Sequence, residues 1–214
     1  MIYGQSRHNK TVKCMKLAAS KRDLDIAASE IEKMKLTTNF DEFREAWENY
    51  LFRIERAWEL TERTLKREKG FERWHKPYTE LRKKDSLLVF LKQARHSEMH
   101  SVSTTVSKPL KMVVRDKTGY GLSINSISQK LENGTLTIDI STNDILPSVG
   151  VEIVPTDPEL VRIKNRGKWY NPPWSHLKER IDNLHPVSIA IMGLEFYQVY
   201  VTEAEAWLES TFNN

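Results

Sequence analysis

Apolar positions in the first hundred residues recur at three- and four-residue steps. Leu24, Ala27, Ile31 and Met34 make one such stripe, which predicts an amphipathic helix. Ser20 is placed to cap it, with Asp23 three residues on as a short capping-box acid. Asn39 with Glu42 repeats the start signal. Phe43, Trp47, Tyr50, Leu51, Ile54 and Trp58 then share a stripe, predicting a long helix that runs to Leu65. Gly70 ends it, and Pro77 interrupts the weaker stretch from Phe71 to Lys84. Asp85 or Ser86 caps a fourth segment, with Leu87, Leu88, Phe90, Leu91 and Ala94 continuing through Arg95 to about Ser101. Four helices with short connections predict an up-and-down bundle.

The pattern changes near Ser101–Pro109, where Ser, Thr and Val replace Glu, Arg and Leu. Leu110–Val114 is a short apolar run, and Leu136, Ile138 and Ile140 alternate with polar residues, which predicts strands. Asn133-Gly134 predicts a hairpin turn, because both residues tolerate positive φ. Val151–Val154 and Leu160–Ile163 are further strand candidates, and Pro172-Pro173 closes the strand region. Trp174–Leu184 reads as a short helix. Pro186 opens a longer one through Ile189, Met192, Phe196, Val199, Tyr200 and Trp207. The expected fold class is α+β: an N-terminal helical bundle, then a small antiparallel sheet with C-terminal helices. The expected domains are a basic arm at 1–19, a helical domain at 20–107 and a sheet-containing region at 108–214.

Composition narrows the class. The chain has 214 residues, 39% hydrophobic and 29% charged, and its six Trp, seven Tyr and seven Phe predict a packed core rather than disorder. The longest apolar candidate, Pro186–Leu194, falls short of the roughly 20 residues a membrane span needs. The first sixteen residues lack the apolar centre of a secretory signal. One cysteine, Cys14, excludes a disulfide framework or a multi-cysteine zinc site. A cytoplasmic protein without membrane contact is expected. The formal charge of +4 divides unevenly, with 22 basic against 16 acidic residues in 1–107 and 11 against 13 in 108–214. The basic half, with Arg7, Lys10, Lys13 and Lys16 in its arm, fits a polyanionic partner.

His96 and His100 lie four apart on a predicted helix, the spacing of two metal ligands. The metalloprotease pattern needs Glu directly after the first His, and Ser97 stands there; no metal or other cofactor is expected. No glycine-rich phosphate loop and no GxSxG elbow occurs. Arg95 and His100 instead bring together two groups suited to RNA cleavage. Arginine holds a phosphate in a fixed orientation. Histidine can take a proton from a ribose 2′-OH or return one to the leaving 5′-oxygen. Such cleavage needs no metal. Five residues apart on an ideal helix, the two side chains diverge by about 140°; a distorted helix end or a second copy of the chain would let them converge. With 14 Arg and 6 His, chance supplies about one Arg–His pair at separations of four to six residues, and Arg180 with His185 is a second instance. Its place next to Pro186 marks it as a helix terminus with basic residues near the carbonyls.

The run Leu81-Arg82-x-x-Asp85-x-Leu87-Leu88-x-Phe90-Leu91-x-x-Ala94-Arg95-His96-x-x-x-His100 resembles the last core helix of HEPN domains, small helical nucleotide-binding or ribonuclease modules. The family signature is Arg, a polar residue and, a few residues on, His. Here His96 replaces the Asn often found after the Arg. The resemblance covers roughly residues 20–107. It implies a metal-independent endoribonuclease acting on RNA as a homodimer, in toxin–antitoxin or phage-defence settings where an antitoxin or other protein is a partner. Arg95 would bind the scissile phosphate, His100 would be the general acid/base, and His96 would assist. Many such domains have lost activity, so the alternative is a catalytically silent dimeric module that binds a protein or nucleic acid. In the second half, Arg166, Lys168 and Trp169 mix cations with an aromatic, a combination suited to phosphate contact and base stacking.

Overall fold

The structure, a computed structural model, describes residues 16–100, 105–116, 124–132, 135–142 and 149–211, with side chains for 16–97, 105–109 and 156–211. Cys14, most of the basic arm and the Asn133-Gly134 turn lie outside these residues. Five helices are described: α1 (Ala18–Leu36), α2 (Phe40–Leu65), α3 (Phe71–Lys84), α4 (Ser86–His100) and α5 (Pro186–Thr211). Ten short strands lie between α4 and α5: β1 (Val106–Ser107), β2 (Leu110–Asp116), β3 (Ile124–Glu132), β4 (Thr135–Thr142), β5 (Val149–Pro155), β6 (Glu159–Leu160), β7 (Ile163–Asn165), β8 (Lys168–Tyr170), β9 (Ser175–His176) and β10 (Glu179–Arg180). The fold class is α+β. Among the described residues, no helix is long and apolar enough to cross a membrane.

The helices start and stop for identifiable reasons. Asn39 caps α2, its side chain accepting the Asp41 N–H at 2.9 Å, as a capping residue should. Glu42 does not close the box on it but bonds the Thr37 hydroxyl at 2.6 Å. Ser20 is not a cap. Leu17 holds that place without a side-chain bond, and Ser20 is buried inside α1, its hydroxyl 2.9 Å from that of Thr61 on α2. Asp23 likewise faces α2, where Arg53 and Arg56 meet its carboxylate at 2.9 and 3.5 Å. Both side chains serve helix pairing rather than helix initiation. Gly70, at φ 89°, makes the left-handed turn from which α3 begins. Pro77 does not interrupt α3, which continues to Lys84. Pro77 and Arg73, whose carbonyl loses its helical partner, are both exposed, so water can replace the missing bond.

The chain forms two compact units, residues 1–107 with 158–214, and residues 108–157. Of the two lines the sequence drew, at 19/20 and 107/108, the structure shares the second and adds another at 157/158. The reason lies in the core of the first unit. Trp47, Tyr50, Leu51 and Ile54 of α2 pack with Leu87, Leu88 and Leu91 of α4, and Ile189, Tyr197 and Tyr200 of α5 complete the same core. Leu160, Ile163 and Ile181 join it from the strand region. The expected 108–214 region is therefore divided, and its end returns to the bundle. Val199, expected on the apolar stripe of α5, is exposed. Trp174–Leu184 is no helix: β9 and β10 form a hairpin whose turn residues, Leu177 and Lys178, have φ of 49° and 76°. The single small sheet is likewise replaced by separate two-stranded pairs: β1 with β6, β2 with β5, β3 with β4, β7 with β8, and β9 with β10, all antiparallel.

In the second unit β2 pairs with β5 from Leu110↔Pro155 to Asp116↔Val149. β3 pairs with β4 from Ile124↔Thr142 to Glu132↔Thr135, with a register shift between Ile124 and Ser126. The base is closed by Thr156, whose N–H and hydroxyl bond the Pro109 carbonyl at 3.1 and 2.6 Å.

Candidate nucleic-acid interface

Three of the described histidines have jobs in the fold. His75 is buried, with its Nδ1 3.1 Å from the Tyr200 hydroxyl. Burial pushes its imidazole below the ordinary value, the Arg82 charge adds to that, and Glu62 opposes it. His176 Nδ1 lies 3.0 Å from an Asp85 carboxylate oxygen. His185 Nδ1 accepts the Val187 N–H at 3.2 Å at the start of α5, whereas Arg180 ends β10, so the second Arg–His pair is not a helix terminus with basic residues near the carbonyls.

His96 has a different setting. Together with Arg95 it lines a cleft of about 490 Å³ between α4 and the facing side of α2, whose walls include Phe52, Arg56, Glu59 and Arg63. The Arg95 guanidinium lies 4.9 Å from the centre of the Phe52 ring, with those of Arg53 and Arg56 at 5.4 and 6.0 Å. Three cations thus surround one aromatic ring that is 37% exposed. Glu55 also borders the cleft, but its carboxylate is engaged by the buried Arg82, whose guanidinium stacks 4.2 Å above Trp58. Arg82 is held charged: burial opposes its charge, and Tyr197 and Glu55 outweigh that opposition. His100 is the last residue of α4; its side chain lies outside the described residues.

The second predicted cluster falls on the β7–β8 hairpin. Arg166 and Gly167 make its turn with φ of 49° and 80°, and Arg166 and Lys168 are exposed. Trp169 is 51% exposed and pairs across the ladder with Lys164. Arg162 and Lys164 approach its ring to 4.5 and 5.6 Å. Comparison with family models, curated proteins and solved structures finds no match to this chain. The chemistry of these surfaces has to carry their reading.

Arg95 and His96 are brought to one opening, whereas Arg166, Lys168 and Trp169 form another surface of the same unit. Sequence reasoning missed Phe52, Arg56 and Arg63. A signal was available: Phe52 is an aromatic off the apolar stripe of α2, with Arg53 and Arg56 beside it. It also missed Trp174, which is 72% exposed after Pro172-Pro173.

Proposed function

We propose that this chain is a metal-independent endoribonuclease of HEPN type that works as a homodimer on RNA. The observation that carries the reading is the shared opening of Arg95 and His96 onto a cleft with Arg56, Arg63 and an exposed aromatic ring. Guanidinium groups bind phosphate oxygens, and an exposed ring offers a face to a base. In the reaction, Arg95 holds the scissile phosphate and His96 adds a contact to it. His100 removes the proton from the ribose 2′-OH, whose oxygen attacks phosphorus. The bond from phosphorus to the 5′-oxygen breaks, and a protonated imidazole, from the second copy of the chain, gives that oxygen its proton. The products are a 2′,3′-cyclic phosphate and a 5′-hydroxyl, with no water or metal consumed.

The test is cleavage of RNA in excess chelator by the parent, Arg95→Ala and His100→Ala. General acid–base catalysis contributes about 100- to 10,000-fold, so His100→Ala should cut at least about 100-fold more slowly, and Arg95→Ala should slow cutting through the lost hold on the phosphate. Equal residual cutting by all three overturns the assignment. The second reading, a catalytically silent binding module, is favoured by the exposed Trp169 and Trp174, and is recognised by a parent protein that retains labelled RNA uncut.

A further inference from the structure

A second concavity, about 1100 Å³, opens between the end of α3, the start of α4 and the β8–β9 segment. We infer that it is a stacking groove for single-stranded RNA, from which the strand runs along α4 to the Arg95–His96 cleft. The identity of this occupant rests on the RNA reading above; the groove's shape and charge do not.

Its wall carries three large apolar side chains facing water: Trp169, Trp174 and Leu177 at 51, 72 and 50% exposure. Two exposed indoles in one concavity are rare on a surface without a ligand. Their backbones are fixed. The Trp174 N–H donates to the Ser86 hydroxyl at 3.2 Å, and its carbonyl accepts the Ile181 N–H at 3.1 Å. Trp169 lies in the β7–β8 ladder. Rings presented from a fixed backbone lose little freedom on binding.

Charge selects the occupant. Lys83, Lys84 and Lys178 rim the groove, and the adjoining segment 162–170 holds Arg162, Lys164, Arg166 and Lys168 with no carboxylate. The two acids of the lining are already engaged. Glu80 is shared between Lys83 and Lys84 at 3.1 and 3.2 Å, which leaves these three side chains with one net positive charge beside Lys178. Asp85 accepts the Leu177 N–H at 2.7 Å and lies 3.0 Å from His176 Nδ1. A cationic rim around aromatic faces matches a strand with phosphates outside and unpaired bases to stack. A duplex keeps its base faces covered.

Continuity along α4 joins the two openings. Val89 borders the groove and His96 the cleft, and seven residues place them on one stripe, about 10 Å apart along the axis. Half-buried Lys92 and Gln93 lie between them. Gln93 accepts a 2.7 Å bond from the Asn165 amide of β7, which ties the cationic hairpin to the same wall.

The test uses the full chain and a labelled 2′-O-methyl oligouridylate, which cannot be cut because its 2′-oxygen is blocked. Anisotropy titrations compare it with an RNA duplex of equal length and with polyglutamate as competitor. Trp169→Ala with Trp174→Ala should weaken binding at least about tenfold with an unchanged melting temperature. Lys83→Glu with Lys84→Glu should weaken it too and flatten its salt dependence, while Leu36→Ala, an exposed apolar change outside both concavities, should not. Binding by the tryptophan double variant within twofold of the parent overturns the proposal. So does equal affinity for the duplex, or displacement by polyglutamate at matched charge. A parent that binds through the groove yet never cuts natural RNA refutes the nuclease reading and leaves the groove standing. Unchanged cutting and binding in the tryptophan double variant refute the groove alone.

Discussion

Gly193, in the middle of α5, shows how closely the helices of the bundle approach. A Cβ there would lie 2.4 Å from the Tyr50 hydroxyl and 2.5 Å from a Leu91 methyl, and both side chains are fully buried with nowhere to retreat. Alanine would gain about 1 kcal/mol in helix propensity but would force overpacking that costs about 2–3 kcal/mol. Gly193→Ala should therefore lower stability by about 1–2 kcal/mol, read as a shift of the urea midpoint; an unchanged midpoint means that Tyr50 can move. At this scale the candidate site was partly legible. Arg95 was marked by its spacing to His100, and Trp169 by the cations on either side of it. Phe52 and Trp174 were not, because exposure of an aromatic depends on what packs over it, and that is a property of neighbours distant in sequence.

At the scale of elements, the segment from Trp174 to Leu184 shows a local pattern overruled. The sequence there reads as a short helix, yet it folds as the β9–β10 hairpin because Asp85 holds it. That carboxylate bonds the Leu88 N–H at 3.1 Å as the cap of α4, and it also bonds the Leu177 N–H and meets His176. Burial raises its carboxyl, but these partners together hold it below the ordinary carboxylate value. Asp85→Ala should cost about 2 kcal/mol, a cap of about 1 plus the charged bonds to the hairpin. Hydrogen exchange should show the Leu177 amide losing its protection while the centre of α2 keeps its own. Protection retained at Leu177 would show that the hairpin stands without Asp85. By contrast α2 and α5 begin where Asn39 and Pro186 predict, since capping and proline geometry act within a turn of the chain.

Across the whole molecule, residues 108–157 are an insertion in the helical unit. β1 and β6 pair at Val106↔Leu160 and Ser107↔Glu159, so the chain leaves and re-enters at neighbouring points. The core residues of the helical unit come from Leu17–Val106 and Leu160–Leu208. Replacing 108–157 by a short Gly-rich link should leave one cooperative unfolding transition with the parent's helical signal. Loss of that transition would show that the insertion supports the bundle. The amino-acid order alone determined where most helices lie, which faces are apolar and that Arg95 and His96 share one helix, because these follow from local geometry and side-chain chemistry. Only the tertiary structure decided that α5 completes the bundle, that Asp85 makes a hairpin of a helical pattern, and that Phe52, Trp169 and Trp174 face water. These depend on contacts between segments far apart in the chain, whose burial energy outweighs local preference.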